Sequence, residues 1–293
     1  MRYGRPQADR PVGVSDNMFI KSALSFARLE YRALRFYPSN FVLAVIQSFV
    51  TAGMWFFVSL FLKDYAAASL TGFGGDFVSY MVIGVVFFQN SSAILNLPFQ
   101  SLNTAFWDRR LEVYNSSVYG VWAFIGGRFI WTFFYQLVIQ AGVLTAAVLF
   151  AGVHVSANVR AAPLAMYYLG FVFTCFGLGL IGASNFFNLE VKQGREPFTW
   201  LADILARIFS GVYYPLAILP AGIRFISRVV PHTYALEGLR RILMEGQGLG
   251  NAVVRNDLLV IIAFAVISML LGVFLFGRSL MRAQRGNGVG MIV

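Results

Sequence analysis

Cysteine occurs once in this sequence, at position 175, and histidine twice, at His154 and His232. A single thiol inside an apolar run excludes an intrachain disulfide and a cysteine-based metal site. Charge is scarce as well: Asp, Glu, Lys and Arg make up 12% of the 293 residues against 58% hydrophobic, and the mean hydropathy is +0.68. That balance is too apolar for a water-soluble domain of this size and places the chain in a bilayer. The net charge of +10 therefore reads as attraction to anionic lipid, with no nucleic-acid partner.

The motifs of enzymes and pumps are missing too. A phosphate-binding loop requires glycines before Lys-Ser or Lys-Thr; of the three lysines only Lys21 precedes a serine, and Ile20 stands where glycine is needed. No G-x-S-x-G elbow, H-E-x-x-H pair or paired catalytic carboxylates occur. No catalytic residue, cofactor or metal is therefore expected on this chain. Ion-coupled carriers need ionisable groups within their spans, and here Arg128, Asp203 and Arg207 are the few that fall there, close to span ends. Asp203 and Arg207, four apart, are placed to pair on one helix face. Residues 1–18 are polar, basic and broken by proline, unlike a secretory signal, and read as a flexible cytoplasmic tail; residues 286–293 read as a frayed end.

What the sequence does have is long apolar runs. A helix needs roughly 20 apolar residues to cross the hydrocarbon, and six stretches qualify, at about 40–62, 77–98, 121–152, 163–189, 198–218 and 257–277. An all-α membrane protein of six spans is expected, with both termini on one side. Arginine and lysine crowd before span one (Arg2, Arg5, Arg10, Lys21, Arg28, Arg32 and Arg35), after span two (Arg109, Arg110), after span four (Lys192, Arg195) and after span six (Arg278, Arg282, Arg285). Basic loops stay inside, so both termini are expected to be cytoplasmic and the protein to lie in the plasma (inner) membrane. The loop after span five breaks the rule, because Arg224, Arg228, Arg240, Arg241 and Arg255 would face outward.

Three segments and one pattern of polar residues carry more than hydropathy. Residues 19–37 predict an interfacial helix, with Lys21, Ser25, Arg28, Arg32 and Arg35 on one stripe and Glu30 opposite, ended by Pro38. Glu30 is expected to reach water at one edge or a cation on another subunit. Neutral polar residues recur in spans one, two and five: Gln47, Thr51 and Trp55 at every fourth position, Gln89, Asn90, Ser91 and Ser92 together, then Ser210, Tyr213 and Tyr214. Such residues bond neighbouring helices or line a polar passage, while Gly126, Gly127, Gly177 and Gly179 predict close helix contacts. The segment at 100–120 gathers Trp107, Asp108, Arg109, Arg110, Glu112 and Tyr114, suited to headgroups or to a groove on a soluble partner. Residues 213–243 hold two half-apolar pieces divided at Pro220 and Pro231.

Taken together, GVYYPLAILPAGIRFISRVVPHTYALEGLRRIL, the N-terminal amphipathic helix, six spans and the charged loop after span two resemble the permease subunits of type-2 ABC exporters, from about residue 19 to 282. The sharpest part is Pro215, Pro220 and Pro231 followed by Tyr234, Glu237 and Arg240. The resemblance implies a re-entrant pair of half-helices, 217–229 and 232–245, closing the outer mouth, with Arg240 and Arg241 at or above the outer headgroups and Glu237 paired to them. It implies a coupling helix at 101–118 whose Trp107, Arg109, Arg110 and Glu112 touch a separate ATPase, and a gate helix bearing Arg28, Glu30, Arg32 and Arg35. It further implies a second permease copy, identical or not, two nucleotide-binding subunits carrying ATP and Mg, and a pathway lined by Gln47, Thr51, Trp55, Gln89, Asn90, Ser210, Tyr213 and Tyr214. The cargo expected is drug-like, amphipathic or lipid-linked; a glycan exporter is the alternative within the family, and a lipid-modifying enzyme or scaffold the alternative outside it.

Overall fold

The computed structural model describes residues 16–66, 76–116, 120–188 and 196–285, and within them it is helical, with no strand. The N-terminal tail through residue 15, the loop carrying Lys192 and Arg195, and residues 286–293 lie outside the described residues. Among the described residues ten α-helices follow in order. α1 (Asp16–Phe36) is separated by Tyr37 alone from α2 (Pro38–Ala66), because Pro38 lacks the amide that would continue α1. α3 (Phe77–Trp107), α4 (Leu111–Ser116), α5 (Gly120–Ala151) and α6 (Ala161–Asn188) come next. α7 (Pro197–Phe209), α8 (Ala221–Val229), α9 (Pro231–Glu245) and α10 (Ala252–Arg285) complete the order.

Five of these, α2, α3, α5, α6 and α10, are long and apolar enough to cross a membrane. α3 is the axis of the bundle: 78% of its most apolar stretch is buried, against 6% for α2, which lies at the periphery. Beside it, α6 and α10 pack most closely, at glycines. A Cβ on Gly177 would sit 2.6 Å from Ser268 of α10, and one on Gly272 would sit 2.5 Å from the Gly177 carbonyl. Small residues of this kind let membrane helices touch backbone to backbone, and serine hydroxyls then bridge them. Ser279 donates to the Ser184 carbonyl at 2.7 Å and Ser268 to that of Thr174 at 3.3 Å. Gly127 does the same for α5 against Ala23 of α1, and Gly179 for α6 against the Leu95 carbonyl of α3.

The fifth expected span, 198–218, is not one helix. α7 holds 13 residues, about 20 Å of rise, too short for a hydrocarbon layer of about 30 Å. Its start is strongly fixed: buried Glu196 accepts from the amides of Phe198 and Thr199 and from Asn185 of α6, and Pro197 occupies the first helical position. Its end is equally definite, since Gly211 takes φ +70, in the left-handed region, and Pro215 follows. A 3₁₀ turn (Leu216–Ile218) leads into α8, Pro231 opens α9, and left-handed Gly246 closes it with amide bonds back to its last turn. Hydropathy cannot see this break, because Val212, Leu216, Ile218 and Leu219 are as apolar as any helix interior.

The expected coupling segment is also partly helix. α3 runs through 101–107, about two and a half turns beyond the expected end of span two, and only Asp108 to Arg110 form the turn into α4. Arg109 sits there at φ +57.

Candidate functional site

At one end of the bundle α1, the α3–α4 turn and the start of α5 come together. Ala23 and Ala27 bury against α5, while Lys21, Arg28, Arg32 and Arg35 remain exposed along α1. Phe26 meets Tyr114 of α4 edge-on at 5.4 Å and Phe124 of α5 at 5.5 Å, so one aromatic triad locks three elements. Glu30 reaches water at one edge as expected, its side chain 32% exposed, and it also pairs at 3.2 Å with a cation of its own chain, Arg128 of α5. A cleft of about 380 Å³ opens beside this pair, with Asp108 and Arg110 on its other wall. Trp107 (56% exposed), Arg109, Arg110 and Glu112 all lie on the surface at this end, and Asp108 sits 4.0 Å from Arg110.

Halfway along the bundle a half-polar cleft of about 460 Å³ lies between α2, α3, α5 and α7. Gln47, Thr51, Trp55, Gln89 and Tyr213 line it, joined by Ser92, Tyr135, Gln136 and Arg207. Trp55 stacks on Tyr213 with ring centroids 4.0 Å apart and planes 23° apart. The expected Asp203–Arg207 pair is present, Nε donating to Oδ2 at 2.8 Å, and the Ser92 hydroxyl holds Oδ1 of the same carboxylate. Arg207 also lies over the Phe88 ring, 4.9 Å from its centre.

Three expected lining residues are elsewhere. Asn90 follows Gln89 by about 100° around α3 and therefore faces α6, where its amide donates to the Tyr168 hydroxyl at 2.7 Å. Ser210 is the C-cap of α7 and spends its hydroxyl on the Ala206 carbonyl. Tyr214 turns back to the Ile208 carbonyl and so braces the break.

The contacts of α7 with α3 run in sequence: Asp203 at Ser92, Arg207 at Phe88, Gly211 at Tyr80. The segment is thus antiparallel to α3 and follows it for about 12 residues, about 18 Å of rise, with the unwound stretch continuing the path of the helix.

The largest correction concerns Arg240. Expected at the headgroups, it is 1% exposed and is the largest fully buried side chain among the described residues. Its Nε donates to the Tyr80 carbonyl at 3.0 Å, Nη1 to that of Gly211 at 2.8 Å and Nη2 to that of Val212 at 2.9 Å. The guanidinium carbon stands 3.5 Å from the centre of the Tyr80 ring, and Tyr80 itself donates to the Gly211 carbonyl at 3.2 Å. Gly84 provides the room, since a Cβ there would lie 1.8 Å from Nη2. Arg240 thus answers the question that an unwound backbone inside a bundle always raises: where its carbonyls find donors. A buried Lys would offer a point charge, whereas the planar fork reaches three acceptors at once.

The remaining expected residues of the broken segment have local duties. Glu237 pairs at 3.2 Å with Arg241, not with Arg240. The Tyr234 hydroxyl donates to the Arg228 carbonyl at 3.0 Å, tying α9 back to α8 across Pro231. Pro220 precedes the first residue of α8, and Arg224 reaches back to the carbonyls of Ala217 and Leu219. The α9 end of the bundle is also the α5–α6 end, since the Ser156 amide donates to the Leu243 carbonyl. Ser92, read with Gln89 as part of the polar cluster of span two, does line the cleft, whereas sequence reasoning missed Tyr135 and Gln136; Gln136 follows Tyr135 within an apolar run, which is the signal that was there to read. Compared with models of known protein families and with curated proteins, the chain matches none.

Proposed function

We propose that this chain is the membrane-spanning permease subunit of an ATP-driven exporter of the type-2 ABC class, moving an amphipathic or lipid-linked molecule outward. The observation that carries this reading is the interrupted crossing at residues 197–219. Non-helical backbone at membrane depth is tolerated where protein buries it or where it lines a polar cavity. Here both conditions hold, for Arg240 binds the freed carbonyls while Tyr213, two residues on from Gly211, lines the half-polar cleft. A scaffold has no use for such a break, and a transporter has.

In this reading the chain crosses six times, α7 and the stretch after it making the fifth crossing together, with both termini in the cytoplasm. The contacts of Arg240 and Ser156 put α9 beside the start of α3 and the α5–α6 loop, which is then the outer end. The opposite end, with the exposed arginines of α1 and the turn bearing Trp107, Arg109, Arg110 and Glu112, faces the cytoplasm and receives the ATPase. α2 is the least buried span, and polar Gln47 and Thr51 lie beside its exposed face, so a second permease copy completes the wall of the pathway. The power for transport comes from ATP and Mg on the partner subunits. Isolation from its native membrane in mild detergent tests the reading: a nucleotide-binding ATPase should accompany the chain in fixed stoichiometry. A chain that comes out alone and turns over a lipid substrate unaided would refute it.

A further inference from the structure

We infer that the cleft between α2, α3, α5 and α7 binds an amphipath by an anionic head, a phosphate or carboxylate, with its alkyl chain in the adjoining groove. This rests on the transport reading and names the class of cargo. Most acceptors in and beside the cleft are already spent. Asp203 is the carboxylate nearest the cleft, and both its oxygens are taken, one by Arg207 and one by Ser92. Ser48 and Thr51 donate to the carbonyls of their own helix, Ala44 and Gln47, at 2.9 and 2.8 Å. None of the residues that line the cleft is an anion that could hold a cationic ligand.

Donors, by contrast, are left over. Arg207 uses Nε on Asp203 and sets Nη1 at 3.5 Å from the Tyr213 hydroxyl, while Nη2 has no partner among the described residues. Its side chain is 45% exposed, and the stack on Phe88 fixes the plane of the guanidinium. One position beyond the Phe88 ring that Arg207 covers, Gln89 lines the same cleft, and its Nε2 is buried with no hydrogen-bond partner among the described residues. A buried amide without a partner costs free energy that a ligand acceptor recovers. A half-turn of the Gln89 side-chain amide, which breaks no hydrogen bond among the described residues, brings this donor to the cleft beside the guanidinium edge and completes a donor pair matched to an oxyanion.

The apolar half of the ligand has a place as well. A groove of about 180 Å³ lies between α2, α3 and α5, lined by Ala52, Gly53, Val82, Val143 and Ala147. Val82 is one turn from Val85 of the polar cleft on α3, and Val143 is one turn from Ile139 on α5. Its lining is aliphatic and aromatic throughout, with room for one hydrocarbon chain.

The test uses the full chain in nanodiscs of zwitterionic lipid, with no ATPase present, so it can fail without touching the transport reading and the reverse. Dodecyl phosphate, dodecyltrimethylammonium and inorganic phosphate are titrated while Trp55 fluorescence is followed, with Trp55→Phe giving the background from the other tryptophans. Dodecyl phosphate should bind at least tenfold more tightly than the ammonium compound, and inorganic phosphate should not saturate at the same concentration. Gln89→Leu, which removes no hydrogen bond among the described residues, should weaken dodecyl phosphate about tenfold and leave dodecyltrimethylammonium unchanged. The double variant Asp203→Asn, Arg207→Gln, which removes the ion pair without stranding a charge, should weaken it further. Equal affinity for both amphipaths would overturn the proposal in favour of unselective partition, and tight binding of inorganic phosphate alone would overturn it in favour of a site for a free anion.

Discussion

Replacing Arg240 with Met removes the group that holds the break after α7 to α3 and α9, and the structure sets the size of the effect. Of the three carbonyls the guanidinium serves, that of Tyr80 belongs to a helix and keeps its intrahelical donor, and that of Gly211 keeps the Tyr80 hydroxyl at 3.2 Å. Val212 loses its donor outright. A stranded buried carbonyl costs about 1–3 kcal/mol, and the lost stack on Tyr80 adds about 1–2 kcal/mol. Relief from burying a charge offsets part of this, leaving a net loss of about 3 kcal/mol. In a chain of this size that corresponds to a midpoint roughly 6–12 °C lower. The sole cysteine supplies the assay: Cys175 is 0% exposed, so a thiol-reactive fluorophore in detergent or nanodiscs reports unfolding directly. Gly84→Ala should produce a comparable loss from the other side, because its Cβ would fall 1.8 Å from Nη2 and 2.8 Å from the Val212 carbonyl. An Arg240→Met midpoint within about 1 °C of the parent would refute the role given to the three carbonyl bonds.

Neutralising Glu30 and Arg128 singly and together should give a coupling of about 1 kcal/mol in the same thiol assay, smaller in high salt because both side chains are partly exposed; strict additivity would remove the pair as the tie between α1 and α5. Replacing Arg109, Arg110 and Glu112 with alanine should abolish ATPase association in pull-down and leave the thiol-detected midpoint unchanged, since these side chains lie on the surface; retained association with unchanged coupled transport would dismiss that turn as the coupling contact. Cysteines introduced at positions 109 and 222 should be labelled from opposite sides of sealed vesicles by an impermeant maleimide, and labelling from one side would contradict the six-crossing arrangement.

The long helices were readable because burial in lipid and burial in protein both select apolar runs, and a run of twenty or more has few other uses. Pro38 and Pro231 were readable for the same kind of reason, being chemically unable to continue a helix, and each stands at a helix boundary as expected; Pro220 divides the segment as expected but caps the first half-helix, which begins at Ala221 and not at 217. The length of α7 was not, because Val212 to Leu219 satisfy any hydropathy measure while Gly211 and Pro215 decide the backbone. Position along a helix also misled where two polar residues adjoin: Gln89 and Asn90 read as one polar patch, and the turn of about 100° between them sends one to the cleft and one to Tyr168. Arg240 was misplaced, and the cation beside Glu30 was missed, for a deeper reason. Their partners, Tyr80 and Arg128, are remote in the sequence, the first of them 160 positions away. Nothing local announces such a partner, although a glycine in α3 opposite an arginine is the trace it leaves.

The account stands or falls on whether this chain draws its power from a nucleotide-binding partner. Sealed vesicles containing the chain with and without the ATPase isolated beside it, loaded with a fluorescent dodecyl phosphate derivative, provide the direct measurement. Flux is expected only with partner, ATP and Mg together, and should vanish when hydrolysis is blocked. Flux driven by an ion gradient across vesicles holding the chain alone, or ATP hydrolysis by the isolated chain, would contradict the account.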